Sequence, residues 1–469
     1  MRLVVAEKVA AHSLVGRPGG LVPRARRTRP RALSMRVALP GGHVDARVLD
    51  VSYRGLSFEL DRDALAVAPS TVLSDVALHD HGRLAVRIAL EVRFVRPKPG
   101  GGVVCGARVV ARNLRENARW STIALASLHP GTDVGARYDR DVWGLFEDSG
   151  YFDLSGKAKG EFLHVRDAAS YVTECLDRDP RVGYRVVWQK GDQVAASVSH
   201  VRAYAGTWLG HQMAKSKSVP LTREEGLVAL RSLYERLYEP LLDSGEAQWL
   251  LGYCEAHVRW MRAAHHDFAK PRVGADAAIV PFRLFEARCD QRVDRPAGVD
   301  VGPATEVDRR RILKVVEATK PRPYREALDL VPARFDLEET TARWQGAGLE
   351  RERHVLVARV GGVDVAAAIV EIAERGTNLF GLLDGVRLLP IRDVARETLE
   401  DACVALLAEA AEIYRRQGRE SFVHHAEGED DPSARHLRAM RDLGEGYAWI
   451  VSAGLGAEFL EHVRALTKG

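Results

Sequence analysis

Between residues 37 and 112 the chain alternates apolar and polar side chains in short runs, broken by Gly/Pro turns, with almost no helical period. VALPGGHVDA (37–46) turns at its Pro-Gly-Gly, and RVLDVSYRGLSFEL (47–60) continues the alternation. Further runs lie at 72–78, 84–95 and 103–112, the last two joined by RPKPGGG. Side chains two apart share one face of a strand, so each run offers one face to a core and one to solvent. Several such strands at regular spacing predict a small β-barrel, with the all-β character ending near residue 125. A polar, Gly-containing stretch around 129–150 reads as a linker.

A chain of 469 residues exceeds one ordinary core, and roughly three domains are expected. With 46% hydrophobic and 28% charged residues, the composition is that of a soluble globular protein. No apolar run approaches the length of a membrane span. Glu7, Lys8 and His12 interrupt the first hydrophobic stretch, in the segment 1–21, which therefore lacks the core of a signal peptide. Five cysteines (Cys105, Cys175, Cys254, Cys289, Cys403) are scattered without a CxxC pair, which points to reduced thiols in a cytoplasm and to no zinc clamp. The net charge of +4 argues against a general nucleic-acid coat. Six arginines nevertheless crowd residues 24–36, and a local basic arm of that kind expects a local anion.

Two motifs stand in order around that arm. RRTRPR (26–31) holds Arg27-x-x-x-Arg31, with Arg26 beside it; DVSYRG (50–55) holds Asp50-x-Ser52-x-x-Gly55 at a strand end. Ahead of a small β-barrel, this ordered pair resembles the PilZ family of cyclic di-GMP receptors over roughly residues 22–115, within a domain expected at 22–128. The resemblance implies cyclic di-GMP as ligand and Arg26, Arg27, Arg31, Asp50, Ser52 and Gly55 as the contacting set. The chemistry agrees. Guanidinium groups grip phosphodiesters bidentately, chelate the O6/N7 edge of guanine or stack on a base. Asp50 and Ser52 suit guanine donors and backbone turns, and Gly55 suits a positive φ or close ligand approach.

Beyond residue 150 strands and helices mix. EFLHVRD (161–167) reads as a strand, and 185–214 as three strands around a Gly-Asp turn. A helix over 223–242 follows, striped by Leu227, Leu230, Leu233, Leu237 and Leu241. QWLLGYCEA, a helix over 257–268 and AAIVPFRLFEA complete the unit. The order returns downstream. Helices lie near 305–319 and 336–347, a hairpin turns at Gly361–Gly362, GTNLFGLLDGV reads as a strand, and a long helix spans 392–417. Strand SFVHHAE, a helix at 432–442, strand GYAWIVSA and a terminal helix end the chain. The repeated order resembles the GNAT acyltransferase fold, in tandem over 151–292 and 293–469. That family presents a Gly-rich loop to the acyl-CoA pyrophosphate. Neither MAKSKSVPLTREEG (213–226) nor DGVRLLPIRDVARET (384–398) carries its signature, which leaves acyl-CoA binding unsupported.

Candidate acid–base groups are Glu255 and His257 after one strand, and His424, His425 and Glu427 in another. Cys254 reads as a small buried hydrophobe. His265-His266-Asp267 cannot share a metal, because adjacent helical side chains point apart. Together the resemblances imply a bacterial-type signalling effector. Its PilZ-like sensor would control a tandem GNAT-like platform for a protein partner, of the kind found in signalling or motility and biofilm machinery. The enzymatic alternative is a cyclic di-GMP-regulated acyl- or aminoacyl-transferase. Nucleic-acid binding is not expected, since the basic arm lacks interleaved aromatics.

Overall fold

The computed structural model describes residues 33–468 except 40–41, 62–66, 81, 100, 111–113, 156–158, 292–294 and 428–439. Arg26, Arg27 and Arg31 lie outside the described residues, as does most of the helix expected at 432–442. The chain divides into two units, Met1–Asp133 and Val134–Gly469.

In the first unit the alternating runs form six strands: β1 (Leu33–Leu39), β2 (Gly42–Ser52), β3 (Gly55–Leu60), β4 (Val72–Asp80), β5 (Arg83–Pro97) and β6 (Val103–Val110). They close into the expected barrel in the order β1-β2-β3-β6-β5-β4, all neighbours antiparallel. Closure removes the unpaired edges that an open sheet of this size would expose. Val51, Leu56, Ala107 and Val92 pair in register across four strands and are fully buried, so this row marks the barrel interior. The run 47–60 is two strands, because Tyr53–Arg54 form a tight turn that Ser52 Oγ fastens by donating to the Gly55 carbonyl at 3.2 Å. The sequence reading also missed helix α1 (Leu114–Leu128). Its polar residues hide the period, yet Trp120 and Ala124 enter the barrel core, and Trp120 Nε1 donates to the Tyr53 carbonyl at 2.8 Å.

The second unit contains helices α2 (Asp139–Ser149), α3 (Arg166–Arg178) and α4 (Arg223–Ser244). Helix α2 falls within the stretch read as a linker and buries Val142, Trp143, Leu145 and Phe146. Residues 161–165 are not a strand. They belong to the 3-10 turn Lys159–Val165, whose Phe162 stacks on Phe152 at 4.4 Å in an aromatic cluster with Phe380, and α3 begins at Arg166.

After a short β7 (Thr132–Val134) come β8 (Gly183–Lys190), β9 (Gln193–Tyr204), β10 (Thr207–Lys215), β11 (Trp249–Glu255) and β12 (Ala277–Arg288). The second half supplies β13 (Val299–Pro303), β14 (Arg351–Val360), β15 (Val363–Ala373), β16 (Gly385–Pro390), β17 (Ser421–Ala426) and β18 (Arg441–Ser452). One sheet carries them in the order β13-β14-β15-β16-β17-β12-β18-β11-β10-β9-β8. Each half has one parallel pair, β10 with β11 and β16 with β17, joined by α4 and by the helix Arg396–Arg416 respectively. That is what a helical crossover requires. The last strand of each half crosses over. β18 lies between β11 and β12, and β12 lies between β17 and β18, so the halves share one sheet through reciprocal strand exchange.

GTNLFGLLDGV is a loop up to Asp384, and the strand is Gly385–Pro390. Gly376 and Gly381 take left-handed φ values of +88° and +68°. Asn378 Oδ1 accepts from the Phe380 and Leu382 N–H groups at 3.0 and 3.2 Å, which are local bonds that compete with a sheet ladder. β18 also begins at Arg441, where a helix was expected.

Candidate functional sites on the barrel face and in the sheet cleft

Alternation around the inner barrel row fixes what faces outward. On one side of that row Asp50 pairs with Ser57, Ser57 with Gly106 and Gly106 with Phe94. On the other, Ser52 pairs with Gly55, Gly55 with Arg108 and Arg108 with Glu91. Asp50, Ser52 and Gly55 therefore share the side away from the barrel interior, where Asp50 is partly exposed and Ser52 is buried with its hydroxyl on the Gly55 carbonyl. Gly55 is a paired strand residue and not a left-handed turn position, which leaves close approach as its use. Sequence reasoning missed Arg108, Arg93 and Phe94 on the same face. The signal available was the run of arginines at 87, 93, 96 and 108 within alternating strands.

In the second unit β10 and β11 pair only from Thr207–Trp249 to Gly210–Gly252 and then part. A bulge between His211 and Ala214 in β10, with Gln212 at φ +55°, helps turn the strand away. The opening is a cavity of about 360 Å³ lined mainly by apolar and aromatic side chains, among them Tyr234, Tyr238, Tyr253, Trp260 and Phe282. His211, Glu255 and Asn378 bring polar atoms to it. Burial raises the Glu255 carboxyl to about 6. Exposed His257 brings Nε2 to 3.3 Å from Glu255 Oε2 without hydrogen-bond alignment.

The matching place in the second half is built differently. Glu255 and Glu427 both lie three residues past the last parallel pair, Gly210–Gly252 in one half and Val386–His424 in the other. Glu427 is only 9% exposed and accepts from Lys320 Nζ at 2.7 Å, the Tyr324 hydroxyl at 2.6 Å and Arg387 Nε at 3.2 Å. Burial alone would raise its carboxyl, but Lys320 and then Arg387 outweigh burial and hold it below the usual range. Equivalent carboxylates are thus driven in opposite directions, the environment expected of a proton acceptor in one half and of a structural anion in the other.

His424 and His425 are buried in β17. His424 Nδ1 lies 3.2 Å from the Val386 carbonyl, and His425, packed against Tyr253 and Phe282, is held neutral by burial and by Arg387. Cys254 is buried and its thiol pushed up, as a core cysteine is. His265 meets the Trp449 ring edge-on at 4.7 Å, whereas His266 Nδ1 contacts Asp267 Oδ1 at 3.1 Å.

The loop between β10 and α4 has its anion already. The Ser216 hydroxyl and the Lys217 and Ser218 N–H groups donate to Asp148 Oδ2 at 2.6, 2.7 and 3.0 Å. These bonds, that from Ser216 first, lower the Asp148 carboxyl to about 2. The start of α4 is closed as well. Thr222 and Glu225 form a capping box, and Glu225 Oε2 also accepts from Lys190 Nζ at 2.8 Å.

No protein-family model and no curated protein matches the chain. Solved structures similar to it include a tandem GNAT protein from the clavulanic acid biosynthesis pathway, at 13% identity and TM-score 0.36, covering 69% of this chain and 98% of that one. A GCN5-related N-acetyltransferase from Sphaerobacter thermophilus is similar at 12% identity and TM-score 0.39, covering 69% and 96%. K. pneumonia MrkH in complex with c-di-GMP is similar at 20% identity and TM-score 0.21, covering 23% of this chain and 53% of that one. The likenesses are distant. Among the described residues no helix is long and apolar enough to cross a membrane.

Proposed function

We propose that the chain is a cyclic di-GMP-binding effector in which the PilZ-like barrel controls the GNAT-like sheet unit, and that this unit serves as a platform for a protein partner. The observation that carries the reading is the placement of Asp50, Ser52 and Gly55 on the side away from the interior of a closed barrel, just downstream of the Arg27–Arg31 motif. A cyclic dinucleotide there would receive guanidinium donors for its phosphates and short polar groups for its bases. Calorimetric titration of cyclic di-GMP into the full chain tests the reading. Saturable binding at micromolar concentration or below is expected, and its absence overturns the proposal.

A second reading, regulated acyl or aminoacyl transfer, is favoured by one observation: Glu255, raised to about 6, lines an apolar cavity. A base with a value near neutrality is suited to accepting a proton from an amine or hydroxyl. Asp148, which reaches from α2 onto the β10–α4 loop, speaks for a donor without a pyrophosphate, such as an acyl carrier protein or aminoacyl-tRNA. Loss of transfer from such donors in Glu255→Gln, without a loss of folding, is the expected result. Transfer that survives the substitution removes Glu255 from the reaction.

A further inference from the structure

The outer face of β5 and β6 carries more cationic and aromatic chemistry than the two motifs account for. Glu91 pairs across the strands with Arg108, and its carboxylate is shared: Oε2 accepts from Arg108 Nη2 at 2.6 Å, and Oε1 lies 2.9 Å from Arg93 Nη1. Two guanidinium groups on one carboxylate leave a net positive charge. The Nε atoms of both arginines are buried and, among the described residues, have no acceptor. Donors desolvated without a partner are costly, and an anion is what satisfies them.

The backbone explains how both arginines reach the same place. Arg108 stands directly across from Gly55, where no side chain intervenes. Arg93 is the extra residue of a bulge, since the β5–β6 register slips between Val92 and Phe94. Period-two alternation already places Arg93 on the side that holds Glu91, and the bulge re-aims the chain so that Phe94 comes to that side as well. The next residue, Phe94, packs its ring edge against Gly106, where a Cβ would meet the ring carbon Cε1 at 1.9 Å. Arg96 sits over the same ring, 5.2 Å from its centroid.

We propose that Arg108, Arg93 and Phe94 form a second part of the nucleotide site, in which the two guanidinium groups take a phosphodiester and the Phe94 ring stacks a purine. The assignment rests on the cyclic di-GMP reading and extends it from the Asp50-x-Ser52-x-x-Gly55 turn across β3 to β6 and β5. It gives the barrel face its own anion seat, separate from the arginines at 26–31.

The test is calorimetry of cyclic di-GMP with the full chain and four variants, each checked by its melting curve. Arg108→Met and Phe94→Leu are expected to weaken binding tenfold or more. Arg87→Ala removes the same charge from an exposed pair with Asp75, elsewhere on β5, and is expected to stay within twofold of the parent. Removing Arg108 also leaves Glu91 able to repel the ligand, so the fourth variant combines Arg108→Met with Glu91→Gln and keeps the net charge. It is expected to remain at least tenfold weaker than the parent. Recovery of parental affinity in that double variant would mean that Arg108 merely neutralises Glu91, and it overturns the assignment. So does a parent that binds while Arg108→Met and Phe94→Leu bind equally well, an outcome that leaves the underlying reading intact. A parent that does not bind cyclic di-GMP removes both.

Discussion

Glu255 and Glu427 make a controlled comparison, because the fold places them equivalently and their neighbours treat them oppositely. Glu427→Gln removes the negative charge between Lys320 and Arg387, which are 17% and 5% exposed. Breaking a buried ion pair from one side costs about 3–5 kcal/mol, and the retained amide oxygen puts this variant near ~3 kcal/mol. For the unit Val134–Gly469, an unfolding entropy of about 2.1 cal/mol/K per residue converts that to a fall in Tm of about 4 °C. The Glu427 carboxyl is depressed, so this stabilisation is present above 4.5, the ordinary glutamate value, and is lost as pH falls through the depressed one. Glu255 has the reverse sign. Its carboxyl rises from 4.5 to about 6, so the folded state holds more protons than the unfolded state in that window, and stability falls as pH rises through it. The full shift corresponds to about 2 kcal/mol, which solvent screening of a side chain 29% exposed reduces to ~1 kcal/mol or less. Glu255→Gln is therefore expected to leave Tm unchanged or raise it by about 1 °C at neutral pH, with no gain below pH 4.5. Thermal unfolding followed by circular dichroism across this range checks both. Equal losses in the two variants, or a Glu255→Gln loss larger than that of Glu427→Gln, would refute the assignment of opposite roles.

Acetyl-CoA titrated into the parent chain should give no saturable heat, because Asp148 occupies the Ser216, Lys217 and Ser218 donors; micromolar binding would contradict this. Arg27→Ala or Arg31→Ala should each weaken cyclic di-GMP binding by about ten- to a hundredfold, since a charge-assisted bond is worth ~1.5–3 kcal/mol. Arg2→Ala is the charge control for those variants. Asp50→Ala should also weaken binding although it makes the protein more positive, and tighter binding by that variant in the same titration would indicate simple charge attraction. Trp120→Ala should cost the barrel about 3–5 kcal/mol, read by chemical denaturation, because a fully buried ring and its bond to Tyr53 are lost together.

How much of this was legible beforehand depended on whether the pattern was local. The barrel was readable because period-two alternation is written along the strand itself, as in Val86, Ile88 and Leu90 of β5. Helix α1 was not, since among the described residues the face that enters the core is marked by Trp120, Ala124 and the partly buried Ile123, set among polar neighbours. The reciprocal placement of β12 and β18 leaves no trace in either segment: alternation says which face is buried and not which strand lies alongside. The two glutamates looked alike in sequence because each ends an apolar strand. What separates them is Lys320 and Tyr324, more than a hundred residues before Glu427, and the absence of such partners around Glu255 among the described residues. Asp148 lay in a stretch read as a linker, and nothing in ASLHPGTDVGARYDRDVWGLFEDSG announces that one of its carboxylates reaches the loop before α4.

The distribution of charge around backbone donors separates the two units by the ligands they suit. In the second unit the loop donors at 216–218 hold Asp148 and the first turn of α4 holds Glu225, so these two backbone sites already contain carboxylates of the chain itself. At neutral pH that arrangement persists, because a carboxyl lowered to about 2 stays ionised. The nearby cavity is aromatic and carries Glu255, which favours a neutral or cationic group over a phosphate. The barrel face shows the opposite arrangement. Arg93 and Arg108 share a single carboxylate and keep Nε donors without an acceptor among the described residues. The backbone donors of the β10–α4 loop are thus satisfied within the chain, whereas the Nε donors of Arg93 and Arg108 on the barrel face are not, among the described residues. The proposed nucleotide would therefore act through the barrel and not through the β10–α4 loop, and a ligand of the sheet cleft would enter it for its apolar body.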